Sequence, residues 1–281
     1  MAAQQTDYSK YLRNDKFPLI WCPGCGHGII FKSILRSVDK IGIPKDDIVM
    51  VSGIGCSSRT PGYADFNTLH TTHGRALAFA TGVKLFKPKL TTIVVTGDGD
   101  ATAIGGNHFI HAARRNIDIT CIVFNNYIYG MTGGQASPTT PEGRLATTTP
   151  YGAVEPTFNI SGLAQAAGAS YVARASVTQV RMVDKYITQA LNTVGFSLVE
   201  VMTPCPIAFG RRNRMGTGLK LMHWLKDNTV SQAKAAKMSD DELKGKIVSG
   251  VLVDRTKPEY TAEYQKLIER VQAAEKAKVG A

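Results

Sequence analysis

Four short runs of apolar and β-branched residues constrain the fold of this 281-residue chain more than any other feature. Each run is apolar on both faces, which is typical of a strand buried between two layers rather than of a strand with one face in water. Helical patterns separate the runs, so the strands are expected to pair in parallel through helical crossovers. The runs are IVMVSG (48–53), TTIVVTG (91–97), ITCIVFN (119–125) and SLVEVM (197–202).

Apolar residues at helical spacing predict helices between these strands. The last helix is expected to open with a capping box, in which Ser176 is followed by Gln179. The alternation predicts an α/β domain over residues 1–210, with helices on both faces of a parallel sheet. The predicted helices follow Gly28, where Ile30, Ile34, Val38 and Ile41 recur, and cover 74–86, 106–115 and 177–194.

Two segments depart from this alternation. Residues 129–157 have no sustained period and are rich in Gly, Pro and Thr, so we expect a functional or partner-bound loop. Residues 211–281 carry fifteen Lys or Arg against nine Asp or Glu. Helical patterns start there at Ser239, with Glu242 three residues later, and again near Thr261. We therefore expect a basic, mainly helical C-terminal extension that packs on another surface.

The composition argues against several classes of protein. A net charge of +11 could attract nucleic acid, but the chain has no zinc-finger spacing, aromatic RNA-binding signature or arginine-rich arm. It has no run of eighteen apolar residues, so we expect no membrane span. The first twenty residues lack the apolar stretch of a signal peptide, which predicts a cytoplasmic protein. Five cysteines, an odd number, favour metal or redox chemistry over a disulfide framework.

The most specific local pattern lies at the carboxyl ends of two neighbouring apolar runs. Gly97-Asp98-Gly99-Asp100 ends one run, and Asn125-Asn126 ends the next, with twenty-five residues between Gly99 and Asn125. Glycines let the backbone approach a phosphate, and carboxylate and amide oxygens suit Mg2+ bound to a diphosphate. Both patterns lie at carboxyl ends of strands, where open α/β sheets bind ligands. The alternative is a plain strand-to-helix turn followed by an unrelated turn.

The spacing of the two patterns matches the thiamine-diphosphate signature. The signature implies that Mg2+ is held by Asp98, Asn126 and the carbonyl of Ile128, and that the diphosphate is lined by Gly99, Asp100, Gly130 and Met131. Thiamine enzymes also use a glutamate, from a separate domain, to hydrogen-bond the aminopyrimidine ring. The first glutamate here is Glu142. We therefore expect a larger partner subunit to supply the pyrimidine-side domain and its activating glutamate.

Four cysteines lie in loops at strand or helix ends. Cys22 and Cys25 form a CxxC pair, Cys56 follows the first apolar run, and Cys205 follows the last. Four thiolates suit Zn2+ or an iron–sulfur cluster, whereas a CxxC pair alone could be a redox pair. Structural zinc sites commonly use two CxxC pairs, and this chain has one. Cys121 lies in mid-strand and is expected to be a small buried apolar residue.

Five segments, in order, resemble the β subunit of 2-oxoacid:ferredoxin oxidoreductases, and the resemblance covers residues 20–212. The segments are WCPGCGHG (21–28), GIGCSSR (53–59), HTTHGRALAFATGVK (70–84), GDGDATAIGGNHFIHAARRN (97–116) and NNYIYGMTGG (125–134). The resemblance implies that one [4Fe-4S] cluster is bound by Cys22, Cys25, Cys56 and Cys205. It also implies that thiamine diphosphate is approached by Ile54, Gly55, Cys56, Ser57 and His73. A capped histidine at a helix start is the alternative for His73.

The family reaction implied for the chain is the CoA-dependent oxidative decarboxylation of a 2-oxoacid, with electrons leaving through the cluster to ferredoxin. Run in reverse, the reaction fixes CO2. GIGCSSR most resembles the branch that uses 2-oxoglutarate and forms succinyl-CoA. Arg59 in that segment could hold the second carboxylate, because a guanidinium binds a carboxylate bidentately. A surface or partner-facing arginine is the alternative.

Pyruvate or a branched-chain 2-oxoacid is the alternative substrate, and an (αβ)2 assembly is expected. Two other functional classes stay open. A thiamine-dependent lyase or synthase without redox chemistry would have no need of the four cysteines. A non-catalytic iron–sulfur carrier would have no need of the Gly-Asp-Gly and Asn-Asn patterns.

Overall fold

A twisted eight-stranded sheet organises the chain in this computed structural model, which describes residues 7–279. The strands of this sheet are β1 (Ile48–Ser52), β2 (Asn67–His70), β3 (Thr91–Gly97), β4 (Thr120–Asn125), β7 (Tyr171–Ser176), β8 (Ser197–Met202), β9 (Thr229–Ser231) and β10 (Ile247–Asp254). Neighbouring strands run in the order β2-β1-β3-β4-β8-β7-β10-β9, and every pair is parallel except β7 with β10. A separate antiparallel pair is formed by β5 (Ile128–Tyr129) and β6 (Gln135–Ala136).

The four apolar runs form strands near the middle of this sheet, as predicted. Every residue of β1, β4 and β8 is buried, because helices cover both faces. The runs did not reveal β2, whose residues are exposed or half-buried at the sheet edge. They also did not reveal β7, because Arg174 and Ser176 interrupt its apolar pattern.

Helices cover the sheet on both faces, which confirms the predicted α/β architecture. One layer contains α1 and α7, and the other contains α3, α5 and α6. The helices are α1 (His27–Ile41), α2 (Thr60–Tyr63), α3 (Ala76–Phe86), α4 (Asp98–Thr102), α5 (Gly106–Arg114), α6 (Ile160–Ala167), α7 (Val180–Asn192), α8 (Gly218–Asn228), α9 (Gln232–Ala235), α10 (Asp240–Leu243) and α11 (Tyr260–Val279).

Helix α7 begins later than its sequence pattern predicts. Gln179 is its N-cap, and the Ser176 hydroxyl bonds the Thr178 hydroxyl at 2.6 Å rather than capping the helix. The capping box predicted there is therefore wrong. The predicted start at Ser239 is confirmed, because Ser239 and Glu242 form a complete capping box at α10.

The C-terminal segment contributes a strand to the main sheet as well as helices. Strand β10 pairs antiparallel with β7, so residues 247–254 extend the main sheet. Helix α11 starts beside the amino end of β4, where Glu259 accepts a hydrogen bond from the backbone N–H of Asp118 at 3.2 Å. The division at residue 210 stays a prediction. Among the described residues, no helix is both long and apolar enough to cross a membrane.

Candidate functional site

The carboxyl ends of β1, β3 and β4 meet at one edge of the sheet, and a narrow cleft lies there. Parallel strands bring their following loops together at this edge, which is where open α/β sheets bind ligands. Twelve of the residues predicted from sequence line the cleft: Ile54, Gly55, Cys56, Ser57, His73, Asp98, Gly99, Asp100, Asn126, Ile128, Gly130 and Met131.

Asp98 is the buried acid of the cleft. It is the first residue of α4, directly after β3, and 2% of its surface is exposed. Its Oδ2 accepts hydrogen bonds from Ser137 Oγ at 2.6 Å and Thr139 Oγ1 at 2.5 Å. Burial raises the pKa of Asp98, and the hydroxyl donors oppose that rise without supplying positive charge. A divalent cation would supply the charge that a buried carboxylate requires.

Asn126 and Ile128 complete the predicted ligand set. The backbone N–H of Asn126 lies 3.5 Å from Oδ1 of Asp98, so the two strand ends are adjacent. The Asn126 side-chain oxygen accepts from the backbone N–H of Ile128 at 3.2 Å, which tightens the turn through Tyr127. Carboxylate, amide and carbonyl oxygens are the donor set that Mg2+ takes. These residues fit the cation that the sequence predicts.

Asp100 holds three loops together. Its Oδ1 lies 2.5 Å from His73 Nδ1 and accepts from the backbone N–H of Gly74 at 2.7 Å and of Ile54 at 3.3 Å. Its Oδ2 accepts from Thr96 Oγ1 at 2.7 Å. The carboxylate of Asp100 therefore lines the cleft while bonding to protein groups. The loops after β1 and β2 are tied through it to the end of β3.

His73 faces the cleft with one ring nitrogen already engaged. Because Nδ1 bonds the carboxylate of Asp100, Nε2 is the nitrogen able to meet a ligand. The ring is half-buried and packs edge-on against Tyr129, with centroids 5.9 Å apart. A neutral His73 carries its proton on Nδ1 in this arrangement, which leaves a lone pair at Nε2. The predicted cofactor contact of His73 stays a prediction.

Tyr129 was missed by the sequence analysis. Its ring covers the turn at Gly99, and its hydroxyl donates to the Gly99 carbonyl at 3.2 Å. A Cβ on Gly99 would overlap this ring, so the close approach requires glycine. The aperiodic segment that contains Tyr129 offered no pattern from which this contact could be predicted.

Four cysteines from three loops converge beside the cleft. A Cβ built on Gly130 would lie 3.5 Å from the sulfur of Cys205 and 3.6 Å from that of Cys56. Burial is the main cause that raises the pKa of Cys56, and Cys205, Cys25 and Cys22 raise it further while Arg59 lowers it, so the four cysteines lie near one another. Cys121 lies apart, fully buried in β4, with a pKa raised by burial.

The four cysteines could hold an iron–sulfur cluster. Burial, followed by the neighbouring thiols, raises the pKa of Cys25 and of Cys56 to about 11. Four neighbouring thiols need a cationic centre if they are to be held as thiolates. Within residues 7–279, no three His, Cys, Asp or Glu side chains are arranged to hold one metal ion. An iron–sulfur cluster instead takes one thiolate per iron, so the sulfurs surround it.

Gly130 forms the wall between the two sites. The same Cβ position that contacts both sulfurs lies 3.7 Å from Nδ2 of Asn126, a predicted Mg2+ ligand. The sulfur of Cys205 accepts a hydrogen bond from the backbone N–H of Ala208 at 3.3 Å. Such N–H donors stabilise the thiolate form of a ligand cysteine. The cysteine group and the Asp98 site are therefore neighbours separated by one residue without a side chain.

His27 is a second residue that the sequence analysis left without a role. It opens α1 two residues after Cys25, and its ring packs edge-on against Phe124 with centroids 5.1 Å apart. Burial lowers the pKa of His27 to about 4, so the ring is neutral. Its Nε2 has no hydrogen-bond partner among the described residues, and His27 lines the cleft. The histidine that follows the CxxC pair in WCPGCGHG was the available signal.

A buried ion pair between Glu200 and Arg174 contacts Asn125, the first residue of the Asn-Asn turn. Glu200 on β8 accepts from Asn125 Nδ2 at 2.8 Å, from Ser161 Oγ at 2.5 Å and from Arg174 Nε at 2.8 Å. Burial alone would raise the pKa of Glu200, but Arg174 and the two hydrogen bonds bring it below its ordinary value. Asn125 is thereby fixed next to Asn126.

Arg59 lies outside the cofactor cleft. It is exposed and lines a neighbouring cleft with Arg13, Thr68 and His70. Arg59 acts on the Cys56 thiol electrostatically, so the two side chains are close. The structure therefore brings Arg59 near the cysteine group but leaves its predicted contact with a substrate carboxylate untested.

Comparison with known proteins agrees with this geometry. Residues 53–201 match the thiamine pyrophosphate enzyme, C-terminal TPP binding domain family. The chain is 50% identical over 269 residues to 2-oxoglutarate synthase subunit KorB of Methanothermobacter marburgensis, covering 96% of this chain and 94% of that one. It is 51% identical over 259 residues to the subunit of the same name from Methanothermobacter thermautotrophicus, covering 92% and 91%.

A solved structure is similar over the same span. It is the 2-oxoglutarate:ferredoxin oxidoreductase from Magnetococcus marinus with 2-oxoglutarate, coenzyme A and succinyl-CoA bound. The TM-score is 0.85 at 33% sequence identity, and the match covers 96% of this chain and 92% of that chain.

Proposed function

The chain belongs to the thiamine-diphosphate-binding β subunits of the 2-oxoglutarate:ferredoxin oxidoreductases, and on that premise we propose which reaction it carries out and with what partners. With a larger α subunit, it converts 2-oxoglutarate, CoA and oxidised ferredoxin to succinyl-CoA, CO2 and reduced ferredoxin. The reverse direction fixes CO2. The observation that carries the proposal is the adjacency of the Asp98 site and the four cysteines across Gly130.

Three oxygen donors would hold Mg2+ and, through it, the diphosphate of thiamine. They are the carboxylate of Asp98, the side-chain oxygen of Asn126 and the carbonyl of Ile128. Helix α4 begins at Asp98, so its first backbone N–H groups lack partners within the helix and can donate to phosphate oxygens. Gly99, Gly130 and Met131 would line the diphosphate from the turn and from the loop after β4.

Cys22, Cys25, Cys56 and Cys205 would hold one [4Fe-4S] cluster. When bound, thiamine diphosphate supplies the electron sink for decarboxylation, and the cluster supplies an outlet for single electrons to ferredoxin. The chain keeps the two sites adjacent by leaving Gly130 without a side chain. A rigid arrangement of both sites lowers the reorganisation that the reaction requires.

Hydrogen bonds between the loops around the cleft position its side chains. Asp100 fixes the backbone of Ile54 and Gly74 and the ring of His73 in one hydrogen-bonded unit. His73 then presents Nε2 to the reacting centre, where it can accept or return a proton. His27 presents a second neutral ring to the same cleft.

Substrate selection rests on Arg59 in this proposal. Its exposed guanidinium lies close to Cys56, whose neighbours Gly55 and Ser57 line the cleft. A guanidinium would hold the second carboxylate of 2-oxoglutarate, a group that pyruvate and branched-chain 2-oxoacids lack. The relatives named for 2-oxoglutarate support this choice. An (αβ)2 assembly would supply the pyrimidine-side domain and its glutamate.

The proposal is tested with the complex of both subunits, purified without oxygen. We expect CoA-dependent dye reduction with 2-oxoglutarate and little with pyruvate or a branched-chain 2-oxoacid. Asp98→Asn keeps the size of the side chain but removes its charge, so it should lose thiamine diphosphate while keeping iron. Exposed Asp227 offers a control, because Asp227→Asn should behave as the wild type. Preference for another 2-oxoacid would contradict the proposed substrate, and unchanged thiamine content in Asp98→Asn would contradict the site.

A further inference from the structure

The group of cysteines reaches the protein surface at one member. Cys25 is buried and Cys56 and Cys205 are half-buried, whereas Cys22 is exposed. Pro23 and Gly24, which follow Cys22, are exposed as well. Any electron carrier that approaches the cysteine group from solvent therefore meets the loop at Cys22 first.

Apolar side chains surround this opening. Ile20 is 65% exposed two residues before Cys22, and Ile207 is 43% exposed two residues after Cys205. Leu219 is 68% exposed and follows Gly218. Gly218 packs on Gly24, because a Cβ added to Gly24 would lie 3.1 Å from the Gly218 Cα. Single exposed apolar residues are ordinary, but three around one opening form a patch of the kind found at interaction sites.

The exposed charges that follow Cys205 in the chain are positive. Residues 201–226, which contain Cys205, carry five Lys or Arg and no Asp or Glu. The cations that are exposed next to the patch are Arg211, Arg212, Arg214 and Lys220. A one-sign rim around an apolar centre matches the arrangement of a protein interface that steers an oppositely charged partner.

Helix α11, which carries other basic residues of the C-terminal segment, starts at a different edge of the sheet. Asn116 Nδ2 donates to the Pro258 carbonyl at 3.0 Å, and Glu259 accepts from the Asp118 backbone at 3.2 Å. Both partners precede β4, so α11 starts at the amino edge of the sheet, opposite the cleft. The first turn of α11 is therefore remote from Cys22.

We propose that an acidic electron-carrier protein docks on the surface formed by Ile20, Ile207, Leu219, Arg211, Arg212 and Lys220 around Cys22. The inference rests on the proposed function, because it assumes a redox group held by the four cysteines. One electron leaves that reduced group and reduces the carrier, and no proton or chemical group is transferred. The apolar centre excludes water at the contact, while the cations select an acidic partner and raise its association rate.

The test compares two charge reversals of equal size in the complex of both subunits. Arg211→Glu with Arg212→Glu changes the proposed surface, and Arg270→Glu with Lys276→Glu changes exposed residues of α11. For reduction of a purified acidic ferredoxin, we expect the first pair to raise KM about tenfold and to remove most of its dependence on ionic strength. The second pair should leave both quantities within about twofold of the wild type.

A dye-reduction assay distinguishes failure of this docking proposal from failure of the proposed function. If the wild-type complex reduces no small uncharged dye with 2-oxoglutarate, the proposed function fails. If dye reduction is normal but both pairs raise the ferredoxin KM equally, net charge rather than this surface governs docking, and the inference is overturned. Failure of the first pair to assemble with the α subunit would assign the surface to that subunit and would also overturn the inference.

Leu219→Ser should raise the ferredoxin KM without changing the salt dependence, and an unchanged KM would count against the apolar centre.

Discussion

Thr139 donates a hydrogen bond to Oδ2 of Asp98 at 2.5 Å, across forty-one positions of the sequence. Ser137 donates to the same oxygen, so two hydroxyls of the long loop fix one side of the carboxylate. The other oxygen, Oδ1, is left facing the Asn126 turn. The loop that follows β4 therefore sets the orientation of the proposed Mg2+ ligand.

Replacement of Thr139 should weaken cofactor binding. Thr139→Val keeps the shape of the side chain but removes a hydrogen bond to a charged group, which contributes about 1.5–3 kcal/mol. We expect thiamine diphosphate affinity in the presence of Mg2+ to fall at least about tenfold, measured by calorimetric titration. Thr139→Ser should restore it, and Thr147→Val, at an exposed position of the same loop, should leave it unchanged. Equal affinity in Thr139→Val and the wild type would contradict this orientation.

The sequence predicted the groups that would bind ligands better than the groups that hold them in place. Asp98 and Asn126 follow continuous apolar strands, so their convergence could be predicted from the strand ends alone. Ser137 and Thr139 lie in a segment without period, and their contact with Asp98 depends on how that loop folds back. Asp100 was predicted to line the diphosphate, and its bonds to the loops after β1 and β2 become visible only in three dimensions.

Single replacements of cysteine should separate the cluster group from the core. Cys22→Ser, Cys25→Ser, Cys56→Ser and Cys205→Ser should each lose iron and sulfide, because each removes one thiolate of the group. Cys121→Ser should retain both and cost about 1–3 kcal/mol of unfolding free energy, since it puts a hydroxyl into a fully buried strand. Iron and sulfide analysis and thermal unfolding measure the two effects. Loss of iron from Cys121→Ser alone would reverse the assignment.

Arg59 should control the choice of substrate. Arg59→Met removes the proposed partner of the distal carboxylate, so KM for 2-oxoglutarate should rise at least about tenfold while KM for pyruvate changes little. Steady-state rates with both substrates measure this. Arg13 is the matched control, because its guanidinium lines the same cleft but bonds the Phe66 carbonyl at 3.3 Å and Thr68 at 3.1 Å. Similar changes in both KM values for Arg59→Met would mean that Arg59 acts on structure or cofactor.

The ion pair of Glu200 and Arg174 should make stability depend on pH. Although burial would raise the pKa of Glu200, Arg174 and two hydrogen bonds hold it below the ordinary value. An acid with a lowered pKa in the folded state stabilises the protein above its unfolded pKa of about 4.3, and this contribution is lost as pH falls through the folded pKa.

We therefore expect Glu200→Gln to be much less stable than the wild type at pH 7, with a difference that narrows at acid pH below the unfolded pKa. Arg174→Met leaves a buried charge unpaired and should cost about 3–5 kcal/mol at pH 7. Chemical unfolding across the pH range measures both variants. A difference for Glu200→Gln that stays constant down to the acid limit of folding would show that the carboxylate contributes no ionic stabilisation.

The need for a partner subunit follows from where the glutamates lie. Among the described residues that line the cofactor cleft, none is a glutamate. Glu200 is engaged by Arg174, Glu142 is exposed, and Glu155 lines a separate cleft on the far side of Tyr129. Glu142 and Glu155 belong to the loop after β4 and Glu200 to β8, whereas the family resemblance implies that the carboxyl for the aminopyrimidine comes from a separate domain.

The isolated chain, supplied with thiamine diphosphate and Mg2+ and carrying its cluster, should therefore show no 2-oxoglutarate-dependent dye reduction. Addition of the larger subunit should restore turnover, because it supplies the missing carboxyl. In the complex, Glu155→Gln should keep wild-type turnover, which distinguishes the exposed Glu155 of this chain from the glutamate that the reaction requires. Turnover by the purified chain alone would refute the need for a partner. Loss of turnover in Glu155→Gln with assembly intact would identify the activating carboxyl within this chain instead.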